Sequence, residues 1–213
     1  MNAEPRRLIH GVYDAAFRTF RPARLRLFFQ ALAIGSETRV VDIGGMPYFW
    51  QLASQLGLPA PRVTIVNLLP PSGELPSNVA WIRGDGRALP FRDMAFDAAF
   101  CNSVIEHVAE QPAMAREIAR VAARYFVQTP SRRFPIEQHL VTVGLHWLPV
   151  RQQKRWMRFS LARINGRLPL AVMERFLDDL HLLDRRGLAA LFPDAEIRVE
   201  RFLGMEKSLL AIR

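Results

Sequence analysis

Short apolar segments alternate with segments of helical spacing from residue 39 onward. Segments of this length that are rich in β-branched and aromatic residues are typical of buried strands. The predicted strands are 39–43 (RVVDI), 62–68 (RVTIVNL), 79–82 (VAWI), 96–101 (FDAAFC) and 125–129 (YFVQT). Their alternation with helices predicts a parallel sheet with crossover helices.

Apolar residues at helical spacing predict helices before and between these strands. Two of them, over 4–20 and 22–32, form a helical flank that ends near residue 35. Further helices are predicted over 49–56, around 114–122, near 170–180 and directly after Asp184. Two last strands, 195–202 and 207–213, are separated by residues 203–206 and are expected to pair as a hairpin at the sheet edge.

One stretch, residues 130–170, breaks the alternation, being rich in Pro, Arg, His and Trp. It includes an amphipathic, arginine-rich segment over 149–164. We therefore expect one domain over residues 1–213, with a helical flank over 1–35 and an insertion or lid over 130–180.

Composition narrows the class of protein. A chain of 213 residues with 50% hydrophobic content is long and apolar enough for one buried core, which excludes a disordered tail. The single cysteine, Cys101, excludes an internal disulfide and a cysteine-based metal set. The first residues lack a continuous apolar leader, and no apolar run of about 18 residues occurs. These features predict a cytoplasmic protein.

Positive charge dominates the chain, with 29 basic against 20 acidic residues and a formal net charge of +9. Such a balance favours anionic partners, which include nucleic acid, a membrane surface and an acidic substrate. It does not choose among them, and a solvated basic face is favoured over a dedicated nucleic-acid surface.

Polar residues and glycines follow several of the predicted strands. Asp42 and the pair Gly44 and Gly45 close the first strand, and Asn67 ends the second. The later strands are followed by Asp85, Asn102 and Ser103. Because strand ends on one edge of a doubly wound sheet converge, these residues are expected to form one ligand site.

With these motifs the chain resembles the class I S-adenosylmethionine-dependent methyltransferases, in the group that methylates small molecules, lipids and sugars. The matching motifs are RVVDIGG, GDGRALPFRDMAFDAAFCNSVIEHV and ARYFVQTPSRRFPIEQH. The resemblance implies an α/β fold with a doubly wound, Rossmann-like, mostly parallel seven-stranded sheet. It also implies an antiparallel C-terminal hairpin and S-adenosyl-L-methionine as cofactor.

The resemblance assigns the cofactor to a set of strand-end residues. They are Asp42, Gly44, Gly45, Asn67, Leu68, Asp85, Gly86, Asn102 and Ser103. It places Asp42 near the methionyl amino group, Asn67 at the ribose hydroxyls and Asp85 at the adenine amine. Carboxylates and amides can bond all three of these groups.

The first motif departs from the family pattern. Met46 and Tyr48 stand where the family has glycines, and their side chains would narrow the cofactor cleft. Pro47 between them suits the first turn of a helix. Asn67 replaces an acid. Its hydrogen bonds to a ligand therefore lack the assistance of a charge and are weaker by about 1 kcal/mol. We interpret these changes as the mark of a subgroup with its own first motif.

Histidines are the candidates on the acceptor side. His107 is the best-placed general base, and a structural histidine at the sheet edge is the alternative. Glu137, His139 and His146 lie where the family binds substrate. A Glu-x-His pair without further ligands is a weak metal signal, so no metal is expected.

A second cluster combines aromatic and basic residues in the predicted insertion. It comprises Trp147, Trp156, Met157 and Phe159 among Arg151, Lys154, Arg155, Arg158 and Arg163. Such a segment suits a membrane surface or an apolar, anionic acceptor. An amphipathic lid helix whose aromatic residues pack on the core is the alternative. Cys101 is expected to be an inert core residue.

The leading hypothesis is methyl transfer to oxygen, nitrogen or carbon of a small-molecule, sugar-like or lipid-like acceptor. One alternative is a binding or regulatory protein that kept the fold and lost catalysis. Another is a nucleic-acid methyltransferase, although no Asn-Pro-Pro-Tyr-like motif is present. A dehydrogenase is disfavoured because the first strand is not followed by GxGxxG.

Overall fold

A seven-stranded sheet organises the computed structural model of the protein. Its strand order is β3-β2-β1-β4-β5-β9-β8. The structure describes residues 20–71, 73–137, 142–157, 174 and 177–213. The strands of the large sheet are β1 (Arg39–Ile43), β2 (Arg62–Asn67), β3 (Val79–Arg83), β4 (Phe96–Asn102), β5 (Ala122–Pro130), β8 (Glu196–Phe202) and β9 (Met205–Ile212). A separate antiparallel pair joins β6 (Ile136–Glu137) and β7 (Thr142–Val143).

The helices include α1, described over 20–31, α2 (Pro47–Gln55), α3 (Gln111–Val121), α4 (Val150–Trp156) and α5 (Arg185–Leu191), and residues 174 and 177–178 are also helical. Proline at the start of α2 and of α3 suits a first turn, where a missing N–H costs nothing. Asp184 caps α5 because its side chain accepts a hydrogen bond from the Gly187 N–H.

The order in which successive strands join the sheet reverses beside β1. This strand pairs in parallel with β2 on one side and with β4 on the other. The connections that leave β1 and β4 therefore run to opposite sides, and a crevice opens at their carboxyl ends. The topology thus places a candidate site beside residues 42–46 and 100–103.

Strand alternation divides the core into two layers. On one face, Val40, Phe100 and Phe126 pack with α1 and α2. On the other face, Val41 and Val127 pack with α3 and α5. Successive residues point to opposite faces, so each central strand is apolar on both sides, as buried parallel strands are.

A C-terminal hairpin completes the sheet. Strand β9 pairs antiparallel with β5 and with β8, which lies at the edge. Leu203 and Gly204 connect β8 to β9, and both have positive φ, 48° and 78°. Turns with two such residues match the twist of paired strands. The loop is therefore shorter than the predicted 203–206, because β9 already begins at Met205.

The predicted doubly wound fold, with its seven strands and closing hairpin, is confirmed. Ala122, which was expected to continue the helix, instead begins β5, so that boundary was wrong. The β6–β7 pair was not predicted, since its strands have only two residues each. The predicted first helix, except residue 20, and residues 158–164 of the arginine-rich segment lie outside the described residues.

Within the described part of the chain, no helix combines the length and the apolar character needed to cross a bilayer.

Phe28 joins α1 to the sheet. Its ring is fully buried and lies 4.5 Å from that of Phe100 and 5.7 Å from that of Phe126, measured between centroids. We expect Phe28→Ala to lower the free energy of unfolding by about 3–5 kcal/mol, because it removes a large core side chain. Gln30→Ala, at an exposed position of the same helix, should change it by less than about 0.5 kcal/mol. Urea unfolding of both variants checks this, and equal effects would contradict the packing of α1 on the sheet.

Candidate functional site

The turn between β1 and α2 leaves no room for side chains at two positions. Gly44 has φ +73°, and a Cβ there would lie 2.5 Å from Val104 Cγ1. A Cβ on Gly45 would lie 1.9 Å from Asp42 Oδ2. Both distances are far below van der Waals contact, so this turn requires the two glycines.

Asp42 is the buried acid of the site. Its side chain is 1% exposed, and its Oδ2 accepts a hydrogen bond of 2.8 Å from Trp50 Nε1. Burial raises the pKa of Asp42 to about 7, and the bond from Trp50 opposes part of that rise. The carboxyl group therefore changes charge near neutral pH and suits a cationic ligand group.

A cleft of about 290 Å³ opens over this turn. Strand ends, the glycine turn, α1 and β9 contribute to its lining. The lining residues are Phe20, Arg21, Arg24, Asp42, Gly44, Gly45, Met46, Tyr48, Phe49, Phe100, Asn102, Ser103, Pro130 and Lys207. Five of the nine predicted cofactor residues, Asp42, Gly44, Gly45, Asn102 and Ser103, thus meet in one cavity.

The end of β4 is held by hydrogen bonds to neighbouring elements. Arg24 Nη1 donates to Asn102 Oδ1 and to Gln128 Oε1, each at 2.8 Å. Ser103 Oγ donates to the same Gln128 oxygen at 2.7 Å. These bonds fix the orientation of both polar side chains that β4 presents to the cleft.

Arg24, Glu200 and Lys207 form a buried ionic network on the cleft wall. Glu200 Oε2 lies 2.6 Å from Arg24 Nη2 and 3.2 Å from Lys207 Nζ. Burial opposes ionisation of Glu200, but the two cations hold its pKa below the usual value. Burial lowers the pKa of Lys207 to about 8, against the opposing effect of Glu200. The lining of the cleft therefore combines cationic groups with the Asp42 carboxyl group.

The sequence analysis missed Phe20, Arg21, Arg24 and Lys207 as site residues. Arg24 carried one signal, since it lies beside Leu25 and four residues before Phe28 on the apolar stripe of α1. An arginine in such a stripe needs buried acceptors, which only tertiary structure provides.

Asn67 and Leu68, at the end of β2, do not line this cleft. Asn67 Nδ2 donates to the Gly45 carbonyl at 3.0 Å, and its Oδ1 accepts from the Leu69 N–H at 3.2 Å. Leu68 is exposed. In this conformation Asn67 braces the glycine turn from outside.

Asp85 and Gly86 follow β3 and also lie outside the cleft. Arg87 binds the Asp85 carboxylate at 2.7 Å, and its hydrogen bonds hold the pKa of Asp85 below the usual value. Arg87 also contacts Glu110. A Cβ on Gly86 would lie 3.0 Å from Ile43 Cγ2, so this glycine allows the loop to pack closely against β1.

The two bulky residues of the first motif form a wall of the cleft. Met46 precedes α2, Pro47 is in its first turn as predicted, and Tyr48 is half-exposed. The Arg21 guanidinium lies 5.3 Å from the centre of the Tyr48 ring, a cation–π contact that joins α1 to α2 across the opening.

The predicted acceptor-side residues are dispersed. His107 lies in a short 3-10 helix (Ile105–His107) and does not line the cleft. Glu137 is buried in β6. His146 lines a second cavity of about 390 Å³, and burial lowers its pKa. His139 lies outside the described residues. The structure therefore brings none of these described side chains into the cleft.

Cys101 is fully buried, and burial raises its thiol pKa well above the usual value, as expected of an inert core residue. Among the side chains that the structure describes, no three His, Cys, Asp or Glu residues group as a metal site requires.

A family model described as a methyltransferase domain matches residues 53–124, from within α2 to within β5. No curated protein sequence matches the chain. Among solved structures, a protein of Pyrococcus horikoshii has a TM-score of 0.59 at 17% identity, covering 92% of this chain and 89% of that one. A SAM-dependent methyltransferase of Aquifex aeolicus has a TM-score of 0.52 at 12% identity, covering 88% and 87%.

Phosphoethanolamine N-methyltransferase 2 of Haemonchus contortus, solved in complex with S-adenosyl-L-methionine, has a TM-score of 0.57 at 12% identity. That match covers 90% of this chain and 52% of the Haemonchus chain, so this chain spans about half of it. The structural matches share the predicted fold, and the family model supports the predicted methyltransferase domain.

The fit between Gly45 and Asp42 can be tested by a single methyl group. Gly45→Ala should lower the free energy of unfolding by about 1–3 kcal/mol, because the added Cβ displaces the Asp42 carboxylate. Gly35→Ala is the matched control, since a Cβ there has its nearest neighbour, Thr38 Oγ1, at 4.0 Å. Chemical denaturation measures both, and a Gly45→Ala protein as stable as the control would contradict this geometry.

Proposed function

We propose that the protein transfers a methyl group from S-adenosyl-L-methionine to a small-molecule, sugar-like or lipid-like acceptor. One observation carries the proposal. At the carboxyl ends of β1 and β4, a cleft over a glycine turn is lined by a buried carboxyl group and by cationic side chains. In open α/β sheets, ligands bind at this reversal of strand order.

The methionyl end of the cofactor is a zwitterion, and the cleft offers groups of both signs. Asp42 would accept hydrogen bonds from its ammonium group. Arg21 and Lys207, which line the same cleft, would bind its carboxylate. Gly44 and Gly45 would admit the ligand against the backbone, because a side chain at either position has no space. The residues present therefore fit this half of the cofactor.

The adenosine half would extend along the ends of β2 and β3. Asn67 would reach the ribose hydroxyls from its position against Gly45. Exposed Leu68 would cover the adenine ring, and Asp85 would share its carboxylate between Arg87 and the adenine amine. These roles follow the resemblance to the family, and the methyltransferase-domain match over residues 53–124 supports them.

When bound, the cofactor supplies an electrophilic methyl group on a sulfonium. The part of this chain is to align an acceptor with that methyl group and to exclude water, since alignment provides much of the rate of such a displacement. Phe20, Tyr48 and Pro130 give the cleft an apolar side that suits both tasks.

The Asp42 assignment predicts pH-dependent cofactor binding. Titration calorimetry should show affinity for S-adenosyl-L-methionine and S-adenosylhomocysteine rising about eightfold from pH 6 to 7.5, because Asp42 loses its proton in that interval. Asp42→Asn keeps an acceptor for Trp50 but lacks the charge. It should bind at least about tenfold more weakly at pH 7.5, without this rise. Asp93→Asn, an exposed acid-to-amide change, is the control and should bind as the parent does.

Stability measurements separate lost binding from misfolding. The folded-state pKa of Asp42 lies above the unfolded value, so its contribution to stability falls as pH rises from about 4 to about 7. Asp42→Asn should therefore melt at or above the parent's temperature at pH 7.5. Absence of cofactor binding in a folded parent protein would contradict the proposed function.

Transfer itself is tested with methyl-labelled S-adenosyl-L-methionine and an extract of the source organism. The proposal expects label in the small-molecule or lipid fraction. Label in the nucleic-acid fraction would overturn the acceptor class, and binding without transfer to any fraction would favour a non-catalytic binding protein.

A further inference from the structure

A patch of apolar surface lies on β7, the following 3-10 helix (Leu145–Trp147) and α4. We call it the tryptophan face, and it consists of Val143, Trp147 and Trp156. These side chains are 66%, 54% and 49% exposed. Large apolar side chains that stay exposed together mark contact surfaces more often than single exposed residues do.

Both indoles are fixed in place by backbone groups. Trp147 Nε1 donates to the Arg132 carbonyl at 2.8 Å, and Trp156 Nε1 donates to the Val143 carbonyl at 3.3 Å. Their polar atoms are therefore satisfied inside the protein, while about half of each side chain faces solvent. Met157, next in the chain, is fully buried and anchors the end of α4.

Helix α4, which ends with Trp156, also carries positive charge. Arg151, Lys154 and Arg155 are exposed, and their spacing of three and four residues places them on one side of the helix. Residues 142–157 contain no Asp or Glu. Among the ion pairs that the described residues form, none involves these three cations. Other arginines, such as Arg87, Arg120 and Arg198, each pair with an acid two or three residues away in the chain.

We propose that the tryptophan face and the three α4 cations bind the surface of an anionic lipid bilayer. Tryptophan rings favour the headgroup region, and Val143 extends the apolar contact toward the acyl chains. Arg151, Lys154 and Arg155 meet lipid phosphates, which attract basic side chains near the membrane surface. The aliphatic Val143 offers a nucleic acid nothing to pair or stack with, which favours lipid over RNA. The proposal stands apart from the methyl-transfer function.

Vesicle sedimentation with the full chain tests it. The protein should bind phosphatidylcholine vesicles that contain 30% phosphatidylglycerol. Its affinity for vesicles of pure phosphatidylcholine should be at least about tenfold lower. The triple variant R151Q/K154Q/R155Q should lose at least about tenfold in affinity for the anionic vesicles. R26Q/R92Q/R186Q removes the same charge at exposed positions elsewhere and should lose less than about threefold.

Fluorescence tests the apolar part separately. Anionic vesicles should shift the tryptophan emission to shorter wavelength. W147Q/W156Q should remove that shift, because the remaining Trp50 is buried in the core and Trp81 packs against the core from β3. All these variants should bind S-adenosylhomocysteine as the parent protein does. Failure of the membrane proposal is therefore distinguishable from failure of the proposed function. The proposal would be overturned if both triple variants lost affinity equally, or if the protein did not bind anionic vesicles. It would also be overturned if the same cations bound RNA more tightly than vesicles.

Discussion

The burial of the Asp42 carboxyl group is the constraint on which the candidate site depends. Its oxygen occupies the space that a side chain at residue 45 would fill, so the turn after β1 must be built from glycine. Its hydrogen-bond donor, Trp50, lies one turn into α2, which fixes where that helix begins relative to the strand. A buried acid without a cationic partner costs stability. Such a cost is typical of a group kept for a ligand.

Arg24 completes the site from the other side. Through Asn102, Gln128 and Glu200 it ties α1 to strands β4, β5 and β8. Glu200 in turn holds Lys207 on the cleft wall. The result is a cavity lined by an acid at the end of β1 and by cations from α1 and β9. This separation of charge matches a zwitterionic ligand better than a purely anionic one.

Much of the fold was predictable because the strands are continuous apolar runs bounded by turn residues. The periodicity identified all seven strands of the sheet, and the strand-end rule identified Asp42 and Asn102 as neighbours in one site. Asn67 and Asp85 were identified as polar strand ends, but the side-chain contacts that turn them toward Gly45 and Arg87 depend on loop geometry.

The remaining site residues could not be predicted from local pattern. Lys207 lies about 160 residues after the glycine turn, and only the antiparallel pairing of β9 with β5 brings it to the cleft. His107 was chosen for its sequence position after β4, yet the 3-10 helix that follows the strand leaves it outside the cleft. Histidine spacing alone does not encode which way such a turn directs its side chains.

A crystal structure of the protein with S-adenosylhomocysteine tests the central claim most directly. The account predicts the ligand in the cleft over Gly44 and Gly45, with its amino group at Asp42 and its carboxylate facing Arg21 and Lys207. The ligand bound elsewhere on the protein, or with its carboxylate turned away from those cations, would contradict it.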